Sequence, residues 1–165
     1  MAPIAFIDLE ASGLGAASWP IEAGWCFEKG RPEAMLIKPH EEWPDHAWDP
    51  SAERLHGLKR AKLVRAGKDL STVCNRMNDA LNGYAVYSDA PDWDGFWLYR
   101  LFSAAKIRQR FTLDDFAVLF ADQSPGAIEL AKTAATRKAP HKHRAKADVL
   151  HMRVLFELAG TAPSP

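Results

Sequence analysis

Apolar positions near the N-terminus follow the pattern of short, buried β-strands. The runs that predict strands cover residues 3–9, 21–28 and 33–38. Short segments with Gly or Pro separate these runs, so we expect the three strands to form an antiparallel meander. A fourth run, at residues 84–87, predicts one more strand after the middle of the chain.

Helical spacing of apolar side chains dominates the rest of the sequence. It covers residues 69–81, 92–105, 125–136 and 145–158. Ser51 predicts the N-cap of a short helix that ends near Gly57. Residues 112–121 fit a helix and a strand equally well, and the pattern alone does not decide between them.

Strands that come first, then helices alternating with a strand, predict an α/β fold with a mixed central sheet flanked by helices. The chain has 165 residues, 47% hydrophobic and 25% charged, which fits one folded domain and excludes a disordered or fibrous chain. We expect a single domain over residues 1–160 and a short tail at 161–165. Cys26 and Cys74 are expected to be reduced interior residues.

The sequence shows neither a signal peptide nor an apolar run of the roughly 20 residues that span a bilayer. We therefore expect a cytoplasmic protein without membrane contacts.

The formal net charge of zero hides two opposed halves. Residues 1–50 hold nine of the 21 acidic side chains and only three of the 21 basic ones. Residues 131–147, called the basic run below, contain six Lys or Arg and two His and lack any acidic residue. A solvated basic surface and a surface for phosphate groups are both consistent with this composition.

Two carboxylates lie at the end of the first predicted strand. Asp8 and Glu10 are two residues apart, so their side chains point to the same face. Their burial there costs desolvation and repulsion unless a cation neutralises them. Oxygen ligands suit a hard divalent ion such as Mg²⁺ or Mn²⁺. A solvated acidic pair is the alternative that this spacing leaves open.

Two later segments could supply further groups to such a site. Asp89, Asp92 and Asp94 follow the fourth predicted strand and open an aromatic helix, where Asp also serves as a helix cap. Asp148 lies near the start of the last predicted helix, and the preceding loop could place His143 over the same site.

Taken in this order, Asp-x-Glu, an Asp before an apolar helix and His-x-Ala-x-x-Asp resemble the motifs of the DEDD superfamily of 3′→5′ exonucleases, in its histidine-bearing branch. That branch includes polymerase proofreading subunits, ribonuclease T and oligoribonucleases. The resemblance runs from about Ile4 to Leu158, and residues 54–58 are similar to a His-Gly stretch of many relatives. It implies a ribonuclease H-like fold.

The resemblance also implies a role for each matching residue. The matching metal carboxylates, expected to hold two Mg²⁺ or Mn²⁺ ions, are Asp8, Glu10, Asp94 and Asp148. Asp89 is the alternative to Asp94, because the residues before Asp94 depart from the family's pattern. His143 corresponds to the general base, a role that suits histidine. The implied reaction releases 5′-mononucleotides from the 3′ end of a single strand.

The resemblance implies substrate contacts for Ser12, Gly13 and Leu14, which correspond to residues near the terminal nucleotide. Arg144 is a further candidate, because the basic run lies next to His143 in the sequence and could contact the phosphate backbone. Tryptophan side chains could stack on bases, although most Trp residues of a small domain belong to its core. The candidates for stacking are Trp19, Trp43, Trp48 and Trp93.

The predicted partners are 3′ ends of single-stranded DNA or RNA, and, as in relatives, a second copy of the chain or a polymerase or repair protein. Two other functions fit the same motifs. One is a catalytically inactive ribonuclease H-like module that binds nucleic acid, and the other is a ribonuclease H-like endonuclease. Release of single nucleotides, rather than internal fragments, would favour the exonuclease.

Overall fold

A mixed five-stranded sheet, in the order β3-β2-β1-β4-β5, runs through the computed structural model, which describes residues 2–160. The strands are β1 Ile4–Ala11, β2 Pro20–Phe27, β3 Glu33–Leu36, β4 Ala85–Ser88 and β5 Leu113–Asp115. The first three are antiparallel neighbours, whereas β4 is parallel to β1 and β5 is parallel to β4. The predicted α/β class and the N-terminal meander are confirmed.

Helices cover both faces of the sheet. They are α1 Pro50–His56, α2 Arg60–Ala66, α3 Leu70–Leu81, α4 Pro91–Ala105, α5 Pro125–Lys138 and α6 Ala145–Gly160. The four long helices predicted from apolar spacing are confirmed as α3 to α6. Helix α2 was not predicted, because Leu63 is its single buried residue and one apolar position defines no period.

Two sequence predictions are corrected or refined. Asp49, rather than Ser51, is the N-cap of α1: its Oδ1 accepts a hydrogen bond of 2.7 Å from the Ser51 N–H. Pro50 then occupies the first helical position, where its missing N–H costs nothing. The ambiguous residues 112–121 divide into β5 and a 3₁₀ helix at Phe116–Phe120.

The predicted tail at 161–165 lies outside the described residues. Within residues 2–160, no helix combines the length and the apolar character needed to cross a membrane.

Alternate residues of β1 enter two different cores. Ile7 and Leu9 pack with α3 and α4 on one face, and Phe6 packs with α5 and α6 on the other. Asp8 and Glu10 have the same parity as Phe6, so they lie on the α6 face. This face therefore changes from apolar to acidic along a single strand.

On the α6 face, strand β2 also changes from apolar to acidic residues, as β1 does. Its residues on the α6 face lie directly opposite those of β1. The cross-strand pairs are Phe6–Cys26, Asp8–Gly24 and Glu10–Glu22. The pair Phe6–Cys26 packs in the core under α5 and α6, and the pair Glu10–Glu22 lies at the C-terminal end of β1, next to the polar site.

Gly24 allows α6 to reach the sheet. A Cβ atom at this buried position would lie 2.7 to 2.9 Å from the backbone and Cβ of Ala145, the first residue of α6. Distances this short do not occur between real side chains and backbone, so a larger residue would push the helix away. The glycine opposite Asp8 thus sets how closely the start of α6 approaches the carboxylates.

We expect Gly24→Ala to destabilise the protein by about 1–3 kcal/mol, because overpacking against a fixed backbone forces both elements to shift. Gly126→Ala in α5 is the matched control, since a Cβ there meets nothing within 4 Å. Urea unfolding of both variants would measure the difference. Equal stability of Gly24→Ala and wild type would contradict the close approach.

Candidate metal centre and its surroundings

Three carboxylates from two elements converge at the C-terminal end of β1. Asp8 and Glu10 of β1 and Asp148 in the first turn of α6 each offer an oxygen, and these oxygens lie within 4.8 Å of one another. The Oδ2 atom of Asp8 is buried and accepts no hydrogen bond within the described structure. The predicted acidic pair is therefore joined by a third acid rather than dispersed in solvent.

Mutual repulsion and burial make this cluster reluctant to ionise. Burial, followed by the charges of Asp94 and Glu10, raises the pKa of Asp8 well above its ordinary value. Burial and the charge of Asp148 raise the pKa of Glu10 to about 8. A cation placed among these oxygens would reverse both effects, because it stabilises the ionised forms. The donor set consists of oxygens alone, which fits a hard divalent ion.

Asp148 is the exception, because groups around it favour its ionised form. Burial opposes its ionisation, but hydrogen bonds from His141 and from the Lys142 N–H outweigh that cost and lower its pKa. The Lys142 N–H lies 2.9 Å from Oδ1, and His141 Nδ1 lies 3.4 Å from the same oxygen. One oxygen of Asp148 is thus fixed by the preceding loop.

Asp94 reaches the site from the opposite face of the sheet. It is 1% exposed, its Oδ1 accepts a bond of 3.1 Å from the Leu9 N–H, and its Oδ2 accepts one of 2.5 Å from the Ser88 hydroxyl. Burial raises its pKa to about 7, although both hydrogen bonds act in the other direction. These contacts fix β1 next to Asp8 against the start of α4.

Neither Asp94 nor Asp89 belongs to the group of mutually close carboxylates found among residues 2–160. Asp89 follows β4 and is exposed, and its carboxylate interacts electrostatically with His141 and Asp148. The assignment of Asp94 as a further metal ligand, with Asp89 as the alternative, stays a prediction.

Two histidines of the basic run border the carboxylates from different sides. His143 is exposed, has a left-handed backbone with φ of 50°, and lines a cavity together with Glu10. His141 instead contacts Asp148 and packs at a tilt of 36° on the ring of the buried His151, with ring centroids 3.7 Å apart. The motif spacing singled out His143. It missed the contact of His141 with Asp148, because the sequence of an irregular loop does not indicate which neighbour a side chain contacts.

Glu22 on β2 fixes the residues that connect the two histidines to α6. Its carboxylate accepts hydrogen bonds from Arg144 Nε at 3.0 Å, from Arg144 Nη2 at 2.8 Å and from the Ala145 N–H at 3.1 Å. Arg144, predicted to bind substrate, is therefore engaged with a buried carboxylate. Glu22 was not recognised in the sequence, because its role depends on the pairing of β2 with β1.

A cavity of about 300 Å³, called the Glu10 cavity below, opens beside the carboxylates. Leu14 and Leu55 line it although they are 67% and 60% exposed, and Gly13 and His143 complete part of its wall. Exposed apolar side chains around a pocket are suited to contact a ligand.

His56 contributes a polar group to the Glu10 cavity. Its Nδ1 accepts a bond from the Leu58 N–H, and its buried Nε2 has no partner in the described structure. Because Nδ1 accepts, the ring proton lies on Nε2, which leaves one unused donor in the wall. The segment 54–58 was the signal for this residue in the sequence.

Most of the other predicted substrate contacts are interior residues. Ser12 is buried, and its hydroxyl accepts a hydrogen bond from the Trp19 N–H. Its chain neighbours Ala11 and Gly13, rather than Ser12 itself, line the Glu10 cavity. Trp19 and Trp43 stack on each other inside the core, with centroids 5.6 Å apart. Trp93, at 38% exposed, is accessible for stacking. Trp48 is half-buried and donates its indole N–H to a glutamate of α1.

Solved structures of exonuclease I share this fold. The chain superposes on one structure of exonuclease I with a TM-score of 0.77 at 16% sequence identity, covering 98% of this chain and 41% of that one. The same identity and coverages hold for E. coli exonuclease I with a dT13 oligonucleotide and for its zinc-bound complex with single-stranded DNA, both at a TM-score of 0.75. These comparisons confirm the ribonuclease H-like α/β fold.

The chain spans about two fifths of the length of these exonuclease I structures. No protein-family model matches the sequence, and no curated protein matches it.

The carboxylate cluster makes the stability of the metal-free protein depend on pH. The pKa of Glu10 rises from its ordinary 4.5 to about 8 on folding, so the stability that its proton supplies is complete below about pH 4.5 and lost as the pH rises through 8. A divalent ion must displace that proton to bind. We therefore expect Mn²⁺ to raise the melting temperature more at about pH 8.5 than at about pH 6.

Differential scanning calorimetry with and without Mn²⁺ at the two pH values would measure this effect. The double variant Asp8→Asn, Glu10→Gln is the control and should lose the response to Mn²⁺ and the part of the pH dependence that Glu10 supplies. A response of wild type that is equal at both pH values would argue against a metal site here.

Proposed function

We propose that this chain is a metal-dependent 3′→5′ exonuclease that releases 5′-mononucleotides from single-stranded nucleic acid. The observation that carries the proposal is the carboxylate cluster, with its buried, unpartnered Asp8 Oδ2. The fold supports it, because solved structures with this fold include exonuclease I bound to single-stranded oligonucleotides. The histidine-bearing branch of the DEDD superfamily is the closest description that the motifs suggest.

The carboxylates Asp8, Glu10 and Asp148 would hold divalent ions, with Asp94 or Asp89 as the further ligand. Mg²⁺ or Mn²⁺ bound there would neutralise the acids and stabilise the negative charge that develops on a phosphodiester under attack by water. Asp94 has a second task, because its bonds to the Leu9 N–H and Ser88 keep Asp8 in place. The cluster would then keep its geometry with or without substrate.

His143 would take the proton from the attacking water. Its position supports this role, since it is exposed, lies beside Glu10 and belongs to a loop that can approach the phosphate. Glu22 would act as a positioning residue, because its bonds to Arg144 and the Ala145 N–H fix the end of that loop. The oxygen of water would form a bond to phosphorus as the bond to the upstream 3′ oxygen breaks, and the leaving 3′ oxygen would take a proton from solvent water.

The Glu10 cavity would hold the 3′-terminal nucleoside. Leu14 and Leu55 offer apolar contacts for a base, and His56 offers a donor for a sugar hydroxyl or phosphate oxygen. Glu10 lies at its edge and could accept a hydrogen bond from the terminal 3′ hydroxyl. The same arrangement would accept DNA or RNA, and 3′ ends of either kind are the proposed partners.

A cytoplasmic location and association with a second copy of the chain, a polymerase or a repair protein complete the proposal. The inactive binding module is the second candidate function, and the exposed cations of the basic run would serve it equally well. Turnover separates the two functions.

We expect the protein to shorten 5′-labelled single-stranded oligonucleotides one nucleotide at a time, with Mg²⁺ or Mn²⁺ and not with EDTA. Matched DNA and RNA strands in one experiment would also reveal the sugar preference. Asp8→Asn and Asp148→Asn should abolish the reaction, and Asp122→Asn, at an exposed acid of the turn before α5 that lines neither the Glu10 cavity nor the carboxylate cluster, should not. Full activity of the Asp8 variant would overturn the assignment, and internal fragments would indicate an endonuclease.

His143→Ala should lower kcat by about 100- to 10,000-fold, the usual contribution of a general base, while the response of the melting temperature to Mn²⁺ is retained. His46→Ala, at an exposed histidine of a 3₁₀ turn, is the matched control. His141→Ala tests the neighbouring histidine. A larger loss for His141→Ala than for His143→Ala would transfer the role of base to His141.

A further inference from the structure

A second cavity is lined by His141, which contacts Asp148 of the carboxylate cluster. It has a volume of about 510 Å³, within the roughly 300–1,000 Å³ of small-ligand sites, and is called the α5–α6 cavity here. Its lining includes the apolar Phe116, Phe120 and Met152, and the exposed polar residues that line it include Lys132, His141, Asp89 and Asp115. The cavity therefore combines an aromatic interior with charged groups of both signs.

The Glu10 cavity and the α5–α6 cavity meet the carboxylate cluster at different members: Glu10 lines the first, and His141, which contacts Asp148, lines the second. The Glu10 cavity is built from the end of β1, from α1 and from His143. The α5–α6 cavity is built from residues that follow β4 and β5, two strands on the far side of β1, and from α5 and α6. Because β1, β4 and β5 run parallel, these residues share one edge of the sheet.

His141 and Asp89 connect the α5–α6 cavity to the metal centre. Both line the cavity, and His141 Nδ1 lies 3.4 Å from Asp148. A phosphodiester held at the carboxylates would therefore have one nucleoside beside the Glu10 cavity and the other beside the α5–α6 cavity. The upstream nucleoside would therefore be the group that reaches the α5–α6 cavity, because it is attached to the scissile phosphate on the side away from the terminal nucleoside.

We propose that the α5–α6 cavity binds the base of the nucleotide immediately upstream of the scissile phosphate, so that the protein grips both nucleosides of a dinucleotide unit. This inference rests on the proposed nuclease function. Phe116 and Phe120, which are 4% and 8% exposed and pack edge to face on each other, line the cavity with aromatic edges that any base can contact, and this favours tolerance of sequence. Asp89 and His141 can bond to the sugar, and Lys132 can approach the next phosphate.

Helix α5 offers a position for blocking this cavity. Ile128, Lys132 and Thr136 line it at successive intervals of four residues, so they form one stripe along the helix. Thr136 is exposed, and a large side chain there can fill the cavity without entering the core. Thr133, of the same residue type on the same helix, is exposed and lies outside this stripe, which makes it a matched control.

The experiment compares two dinucleotides that differ only upstream of the scissile phosphate. Both carry a 3′-terminal thymidine; one has an upstream thymidine and the other an upstream abasic sugar, so the leaving oxygen is the same. For wild type we expect kcat/KM to be roughly tenfold higher with the base present. Thr136→Trp should bring this ratio close to one, Thr136→Leu should give an intermediate ratio, and Thr133→Trp should keep the wild-type ratio.

The possible outcomes separate the two proposals. If wild type cleaves both dinucleotides equally well, or if Thr136→Trp keeps the wild-type ratio, the α5–α6 cavity does not bind the upstream base and the nuclease function stands. If wild type cleaves neither dinucleotide in Mn²⁺ nor any longer strand, the nuclease function itself is wrong. Equal melting temperatures of Thr136→Trp and Thr133→Trp would verify that the blocked variant is folded.

Discussion

The close approach of α6 to β2 is the constraint on which the rest of the site depends. Gly24 leaves no Cβ between the strand and Ala145, and Glu22, two residues earlier, accepts hydrogen bonds from Arg144 and from the Ala145 N–H. The first turn of α6 is thereby held over β2 by one steric and one polar contact. Asp148 belongs to that turn, so the same contacts bring its carboxylate to those of β1.

Without a bound cation, ionisation of the resulting carboxylate cluster is unfavourable. Burial and like charges raise the pKa values of Asp8 and Glu10, and burial also raises that of Asp94 to about 7. A protein selected for stability alone would replace such acids by apolar residues, because packed apolar groups carry no desolvation cost. The burial of these acids costs stability that a bound cation would restore, and such conflicts are typical of functional sites.

Local patterns in the sequence predicted the elements and part of the site. The two-residue spacing of Asp8 and Glu10 indicated a shared face, and the helical pattern after residue 145 placed Asp148 in a first turn. The sequence could not predict Glu22 as the partner of Arg144, since that contact joins residues 122 positions apart and depends on the register of β2. The contact between His141 and Asp148 was missed because irregular loops have no periodicity to follow.

Zero net charge is a poor guide to the local charge of this protein, because the acids at the end of β1 converge on one point and most cations of the basic run remain exposed. A cation bound by the acids would cancel part of their negative charge, and this edge of the sheet would then combine exposed cations with two partly apolar cavities. Such an edge matches the chemistry of a short single strand, in which anionic phosphates alternate with bases that have apolar faces. Under the proposed function, the difference in size and lining between the two cavities would give a bound strand a preferred direction across the carboxylates.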